Sequence, residues 1–309
     1  MRNVALCRFV LLLLVALVPL LGCDKPAARP TSREGPKVYT IGVSLANLDS
    51  PWRTQMKADI EAAAAKHPNL RLIVMDAQND AAKQQAQLEE LRHSRADAVI
   101  VSPTDAHAIT DPVAKMVDAG IPVIVLDRAV IGDKYTCYIA ADPTQIGAAA
   151  GKWLAGQLQG KGKIAELRGP VGSLRAEELH TAWQAALRDP GYRFVFSGHV
   201  DPPRVDAAKL IDEAFGHSEK IDAVLAYDDA AAYAAYRAAK AAGREKDVLF
   251  VGIGGLPAEG AAYVSQDILS ATFLDPTGGT EAVAAAVKLL HGEKTPKKIV
   301  PPTRAITKE

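Results

Sequence analysis

The chain has 309 residues with 36 basic and 36 acidic side chains, which is long enough for two domains of ordinary size. The balanced charge gives no electrostatic basis for binding nucleic acid, and we expect no such partner. Three cysteines without a CxxC pair or a Cys/His cluster indicate neither a disulfide framework nor a metal site, so no metal and no cofactor are expected.

The first predicted element is a signal for export. Phe9–Leu21 is an apolar run that follows Arg2 and Arg8, and it is shorter than the roughly 20 apolar residues that a membrane-spanning helix needs. Leu20–Cys23 reads Leu-Leu-Gly-Cys and resembles the lipobox of bacterial lipoproteins, whose cysteine is lipidated. The alternative is a signal peptide with a chance cysteine at its end. We predict a lipoprotein signal peptide over 1–22 and lipidation of Cys23.

A polar segment follows the predicted lipid anchor. Residues 23–37 contain three prolines and few apolar side chains, which is typical of a flexible tether. The sequence therefore predicts an extracytoplasmic protein anchored to a membrane, in the periplasm or at the cell surface.

From Val38 onward, short apolar runs alternate with segments of helical periodicity. Ten strands are predicted: Val38–Ser44, Leu70–Met75, Ala98–Ser102, Pro122–Leu126, Tyr135–Ala140, Lys163–Leu167, Tyr192–Ser197, Ala223–Ala226, Val248–Ile253 and Ser270–Leu274. Alternation of this kind favours α/β architecture with parallel sheets, and continuous apolar strands indicate helices on both faces. Two sets of five, separated near Ala141-Asp142, predict two similar lobes.

Polar residues follow the predicted strands, at the edge where parallel α/β sheets bind ligands. Turn and helix-capping roles account for Asp49, Asp80 and Asp105, because aspartate favours both places. Asp127-Arg128 and Asp228 favour ligand binding, since an acid beside a guanidinium offers acceptors and forked donors to neighbouring hydroxyls.

These residues resemble the ribose-binding group of periplasmic sugar-binding proteins. The resemblance rests on IGVS with Pro51-Trp52, and on the blocks Asp76–Asp80, Ser102–Ala106, Gly120–Arg128, Ile139–Asp142, Gly162–Leu167, Ala223–Asp229, Phe250–Ile253 and Ser270–Phe273. It implies two doubly wound parallel-sheet lobes joined by three crossovers near Ala141-Asp142, Leu274-Asp275 and Ile299–Pro301. Lobe I would contain 38–141 and 275–299, and lobe II 142–274 and 300–309.

The resemblance also implies the ligand-binding residues, in a cleft between the lobes. Trp52 keeps the family's aromatic, and Asp127 and Arg128 keep its Asp-Arg pair, whereas Ser102 and Asp228 each stand where the family has asparagine. The full set of candidates is Trp52, Asp127, Arg128, Asp228, Ser102, Arg53, Ser50, Glu177 and Asp275.

Four positions depart from the family pattern. Arg53 replaces a second aromatic, Glu177 an arginine (with Arg175 two residues away), Pro202 an aromatic, and Gly254 an aspartate. Arg53 and Glu177 could pair with each other across the cleft, or they could select a charged ligand. Because a pocket with buried polar groups rejects ligands that leave those groups unpaired, the departures argue against unmodified ribose.

The predicted function is binding, not catalysis, because the glycines around Gly252–Gly255 lack GxGxxG spacing and no catalytic motif is present. We expect a monomer that closes on a small sugar-like ligand and delivers it to the permease of an ABC importer. Two alternatives stay open: a sensory protein that presents its ligand to a receptor or sensor kinase, and a remnant that binds ligand weakly.

Overall fold

The computed structural model describes residues 37–201, 206–217 and 220–308. The predicted signal peptide, Cys23, nearly all of the predicted tether and Pro202 lie outside these ranges.

Twelve strands and nine helices alternate through the described residues. The strands are β1 (Tyr39–Leu45), β2 (Leu70–Asp76), β3 (Ala98–Ser102), β4 (Val123–Leu126), β5 (Cys137–Ile139), β6 (Gly162–Arg168), β7 (Tyr192–His199), β8 (Ala223–Ala226), β9 (Leu249–Gly254), β10 (Ala271–Leu274), β11 (Lys298–Ile299) and β12 (Ala305–Thr307). The helices are α1 (Pro51–Ala64), α2 (Ala81–His93), α3 (Ala106–Asp118), α4 (Pro143–Leu158), α5 (Leu174–Ala186), α6 (Ala207–His217), α7 (Asp229–Ala241), α8 (Gly260–Ser265) and α9 (Gly279–Leu290).

The strands form two six-stranded sheets with the same winding. The first has the order β11-β5-β4-β3-β1-β2, and the second has the order β12-β10-β9-β8-β6-β7. All pairs are parallel except β10 with β12. Two doubly wound lobes are therefore confirmed; we call the first sheet with its helices lobe I and the second lobe II. The exact lobe boundaries given above stay predictions.

The central strands are buried because helices cover both faces of each sheet. Every residue of β3 and β4 is buried, and separate apolar clusters lie on the two sides of each sheet. Helix α9 comes late in the chain but packs on α1 and β3 of lobe I. The chain therefore crosses between the sheets three times, after β5, after β10 and after β11.

Two glycines allow α4 to approach α5 closely. A Cβ atom at Gly147 would lie 2.8 Å from the Leu179 carbonyl oxygen, and one at Gly151 would lie 2.7 Å from the Ala186 Cβ. Substitution at either position would push α5 away from α4, and α5 carries the polar residues that face lobe I.

Within the described residues no helix has the length and apolar character needed to cross a membrane. Cys137 is buried in β5 as a free thiol, as its apolar surroundings in the sequence predict.

Candidate functional site

Three side chains of lobe I meet because their strands are neighbours. β1, β3 and β4 lie side by side, so the residues that follow them share one edge of the sheet. From the start of α1, Arg53 donates from Nη1 to Ser102 Oγ (3.2 Å) and from Nη2 to Asp127 Oδ2 (3.0 Å). Arg53 is only 9% exposed, and its charge is compensated by Asp127.

Asp127 holds an uncommon backbone conformation. Its φ is +66°, in the left-handed region, which aspartate tolerates better than most residues. The Asp127 amide donates to the Ile139 carbonyl at 2.8 Å, and the Tyr138 hydroxyl donates to the Asp127 carbonyl at 2.9 Å. These contacts on both sides fix a strained residue, a combination that is concentrated at functional sites.

The beginning of α1 also fixes an aromatic ring. Ser50 is the N-cap of α1, and its hydroxyl accepts from the Arg53 amide at 3.3 Å. Trp52, in the first turn, donates from Nε1 to the Asp275 carbonyl at 3.0 Å. The indole of lobe I is thus tied to the crossover that follows β10.

Lobe II presents its polar groups from the ends of β8, β10 and the start of α5. Asp228 caps α7, and its carboxylate accepts from the Ala231 amide at 2.6 Å. Arg175, in the first turn of α5, donates from Nη2 to Asp275 Oδ2 at 2.7 Å. Asp275 therefore receives one bond from each lobe, through its carbonyl and through its carboxylate.

Two cavities lie between the lobes. The first, the Trp52 cavity, has a volume of about 320 Å³, and the second, the Arg128 cavity, about 480 Å³. The Trp52 cavity is lined by Ser50, Pro51, Trp52, Arg175, Tyr227, Asp228, Asp229, Ala230, Ile253, Gly254, Leu256, Glu259 and Asp275. The Arg128 cavity is lined by Asp127, Arg128, Tyr138, Ala140, Ala141, Asp142, Pro143, Leu174, Arg175, Glu178, Asp275 and Lys298.

Acidic groups dominate the Trp52 cavity, where Arg175 is the one basic lining residue beside four carboxylates. Burial raises the pKa of Asp275 to about 6, although Arg175 opposes the shift, and burial likewise raises the pKa of Asp229 to about 6. The pKa values of Asp228 and Glu259 are also raised, in each case chiefly by burial. Asp229 is an internal tie, since it accepts from Thr272 Oγ1 (2.5 Å) and from the Gly255 amide (2.7 Å).

The structure brings most of the predicted site residues to the cleft. Ser50, Trp52, Asp228 and Asp275 line the Trp52 cavity, and Asp127 and Arg128 line the Arg128 cavity. Arg53 and Ser102 are buried against Asp127 and support it.

The expected partnership of Asp127 with its neighbour Arg128 is not observed. Arg128 instead donates from Nη1 to the Thr104 carbonyl at 3.1 Å and is exposed, whereas Arg53 holds Asp127. Consecutive side chains at a strand end point in different directions, so sequence adjacency did not identify the ion pair.

Glu177 is placed differently from the other candidates. Its carboxylate accepts from Arg168 Nη2 at 2.6 and 2.5 Å, and Glu177 lines neither of the two cavities. The pairing of Glu177 with Arg53 is wrong, because each binds a partner within its own lobe. Contact between Glu177 and a ligand stays a prediction.

The backbone accounts for the glycine at position 254. Gly254 has a φ of +146°, and a Cβ there would lie 2.5 Å from Asp229 Oδ2. The buried Asp229 carboxylate therefore fills the space that a side chain at 254 would need.

The capping interpretation is confirmed for Asp80 and Asp105, which accept from the Lys83 and Ala108 amides. Asp49 instead accepts from Asn79 Nδ2 at 2.9 Å. Glu259 and Tyr227 line the Trp52 cavity but were not predicted, since neither belongs to a motif. For Arg175 a signal exists: a cation in the first turn of a helix opposes the helix dipole, so its position indicates a role beyond helix stability.

Comparison with known proteins gives the same fold and the same kind of cleft. The pattern of the periplasmic binding protein domain family matches residues 41–294. The ribose import binding protein of Bacillus subtilis is 30% identical over 284 residues, covering 91% of this chain and 92% of the relative. A putative rhizopine-binding protein of Rhizobium meliloti is 31% identical, covering 87% of this chain and 90% of the relative.

Two solved structures extend this comparison. The fructose-binding periplasmic domain of a hybrid two-component system is 35% identical with a TM-score of 0.71, covering 87% of this chain and 90% of that one. An ABC transporter solute-binding protein of Bacillus halodurans with bound myo-inositol is 29% identical with a TM-score of 0.72, covering 88% and 95%. The chain therefore belongs to the periplasmic binding protein family, in the group of ribose-binding type.

Proposed function

We propose that this protein binds a small polyhydroxylated ligand, a sugar or a cyclic polyol, in the cleft between its lobes and delivers it to an ABC importer. The observation that carries the proposal is the pair of cavities lined from both lobes, with an indole on one wall and fixed donors and acceptors on the others. Volumes of about 320 and 480 Å³ fall within the range of small-molecule sites.

The side chains suit a ring that has apolar faces and hydroxylated edges. The Trp52 indole offers a flat surface for the C–H face of a sugar. Asp127 and Asp228 accept hydrogen bonds from hydroxyls and Arg128 donates to them, while Arg53, Ser102 and Ser50 hold Trp52 and Asp127 in place. Charge-assisted bonds of this type contribute about 1.5–3 kcal/mol each. The relatives' ribose, fructose and myo-inositol are neutral polyhydroxylated molecules, which supports this ligand class.

Delivery to an importer is supported by the import proteins among the relatives, and a sensory role by one specific observation. The 35% identical fructose-binding domain belongs to a hybrid two-component system. A permease partner would be identified by ligand-dependent ATPase activity of a reconstituted importer, and a sensory role by ligand-dependent autophosphorylation of a kinase.

We also propose that the chain is exported and lipid-anchored through Cys23, on the basis of the Leu-Leu-Gly-Cys run. Anchoring through two or more acyl chains is stable, at about 0.8 kcal/mol per buried CH₂. Replacing Cys23→Ser should release the protein from the membrane fraction. A wild-type protein whose mature N-terminus carries no lipid would contradict this proposal.

The test of the binding function is a calorimetric titration of the purified mature protein. D-Ribose, L-arabinose, D-fructose and myo-inositol form the panel, with a free amino acid mixture as the control of a different class. At least one panel member should bind with a dissociation constant in the micromolar range or tighter. Absence of binding to every member would reject the proposal.

A further inference from the structure

An ion pair stands where the two cavities meet. Arg175 and Asp275 line both the Trp52 cavity and the Arg128 cavity, and no other lining residue is shared by the two. The pair is formed by Arg175 Nη2 and Asp275 Oδ2 at 2.7 Å. A ligand that extends from one cavity to the other therefore has to pass this pair.

Stability of the fold does not explain the pair. Arg175 is 39% exposed, and ion pairs with that exposure contribute little. Its position in the first turn of α5 is unfavourable for a cation. Asp275 Oδ1 is buried and accepts no hydrogen bond among the described residues, which costs free energy until a donor arrives.

We propose that Arg175 is a ligand-binding residue that acts with Asp275 as one donor–acceptor pair, and that this pair selects adjacent hydroxyl groups of a neutral ligand. The inference rests on the proposed function and names the group that the cleft reads. Arg175 has guanidinium N–H groups beyond the one that binds Asp275, and Asp275 has a free acceptor oxygen.

Hydroxyl groups complement this pair better than charged groups do. A hydroxyl can accept from Arg175 and donate to Asp275 Oδ1 at the same time, and two adjacent hydroxyls can share the two tasks. A carboxylate can accept from Arg175 but cannot donate, and it would be repelled by Asp228 and Glu259 in the same cavity. An ammonium can donate to Asp275 but would be repelled by Arg175.

The experiment measures affinities for matched ligands and for variants of the full mature chain. D-Glucose is compared with D-glucuronate and D-glucosamine, and D-ribose with 2-deoxy-D-ribose; myo-inositol and D-fructose complete the neutral set. The tightest neutral binder is then titrated against Arg175→Gln, Arg175→Lys, Asp275→Asn and the Arg175→Gln/Asp275→Asn double variant. Arg168→Gln is the matched control, because it removes an ion pair with Glu177 on the same helix outside both cavities.

Neutral ligands should bind at least about tenfold more tightly than their charged counterparts. Arg175→Gln and Asp275→Asn should each weaken binding about tenfold, Arg175→Lys should weaken it less, and the double variant should be little worse than either single one because the pair acts as a unit. Arg168→Gln should leave the affinity unchanged, and melting temperatures will verify that each variant is folded.

Two outcomes separate this inference from the proposed function. If the wild type binds a sugar but the Arg175 and Asp275 variants bind it equally well, or if a charged analogue binds more tightly, the inference is overturned while the binding function stands. If the wild type binds none of these compounds, the proposed function fails, and the inference fails with it.

Discussion

Asp127 shows how one residue can serve the backbone and the cleft at once. Its left-handed φ of +66° is fixed by hydrogen bonds to Ile139 and Tyr138, and its carboxylate is fixed by the buried Arg53. The sequence predicted Asp127 as a ligand-binding residue because of its place after a strand. It did not predict Arg53 as its partner, because that pairing depends on the order of β1, β3 and β4 in the sheet.

We expect Asp127→Asn to weaken ligand binding about tenfold, because asparagine keeps the left-handed backbone but loses the charge that strengthens hydrogen bonds to hydroxyls. Stability should fall modestly, since Arg53 then loses its counter-ion. Titration calorimetry and thermal unfolding on the same samples check both effects. Asp105→Asn is the control, because asparagine caps α3 as well as aspartate does. Equal affinities of Asp127→Asn and the wild type would contradict the assignment.

Asp229 predicts a dependence of stability on pH. Its pKa is raised to about 6, so the folded state binds a proton more readily than the unfolded chain between about pH 4 and pH 6. Stability from this group is therefore present at low pH and is lost as the pH rises through 6, amounting to about 1 kcal/mol between pH 5 and pH 7.5. Chemical denaturation of the wild type and Asp229→Asn at both pH values should show the difference. A stability gap between the two proteins that does not change with pH would contradict this prediction.

At the scale of elements, continuous apolar runs allowed prediction of the first ten strands, whose observed ends lie within two residues of the expected ones. β11 and β12 were not predicted as strands, because two or three residues carry no pattern and their pairing depends on distant partners. The helix start at Ser173 was likewise not located closely enough to show that Arg175, and not Glu177, faces the cleft.

The attachment of α5 to the sheet rests on a buried glutamate. Glu166 in β6 is fully buried, and it accepts from Trp183 Nε1 (2.5 Å) on α5 and from Ser197 Oγ (2.9 Å) on β7. His180 Nδ1 lies 2.5 Å from the same carboxylate. Because α5 carries Arg175, this contact also positions a residue of the cleft.

We expect Glu166→Leu to lower the free energy of unfolding by about 3 kcal/mol, because the Trp183 and Ser197 donors would be buried without a partner. Ser197→Ala removes only one of these donors and should cost about 1 kcal/mol. Urea denaturation of the two variants measures the difference. Equal losses would show that the glutamate does not hold the network together.

For the whole molecule, three crossovers and a bond from each lobe to Asp275 predict motion about a hinge. A ligand gains contacts to both lobes only when they approach, so binding should favour a closed form. Small-angle scattering should show a smaller radius of gyration with saturating ligand than without it. The same ligand concentration added to Asp127→Asn, kept below its weaker dissociation constant, serves as the control. An unchanged radius for the saturated wild type would argue against closure.

The threading of the chain through both sheets has a consequence for the order of folding. Lobe I is completed by α9 and β11, and lobe II by β12, all of which follow the last parallel strand of lobe II in the sequence. A chain that emerges from its N-terminus can therefore finish neither sheet until residue 298 and then residue 305 are available. Before that point the outer edges of β5 and β10 are bare, and bare strand edges pair readily with other chains. Release from a chaperone before residues 298–307 have docked would thus expose two sticky edges at once, and truncation there would favour aggregation over the loss of a single lobe.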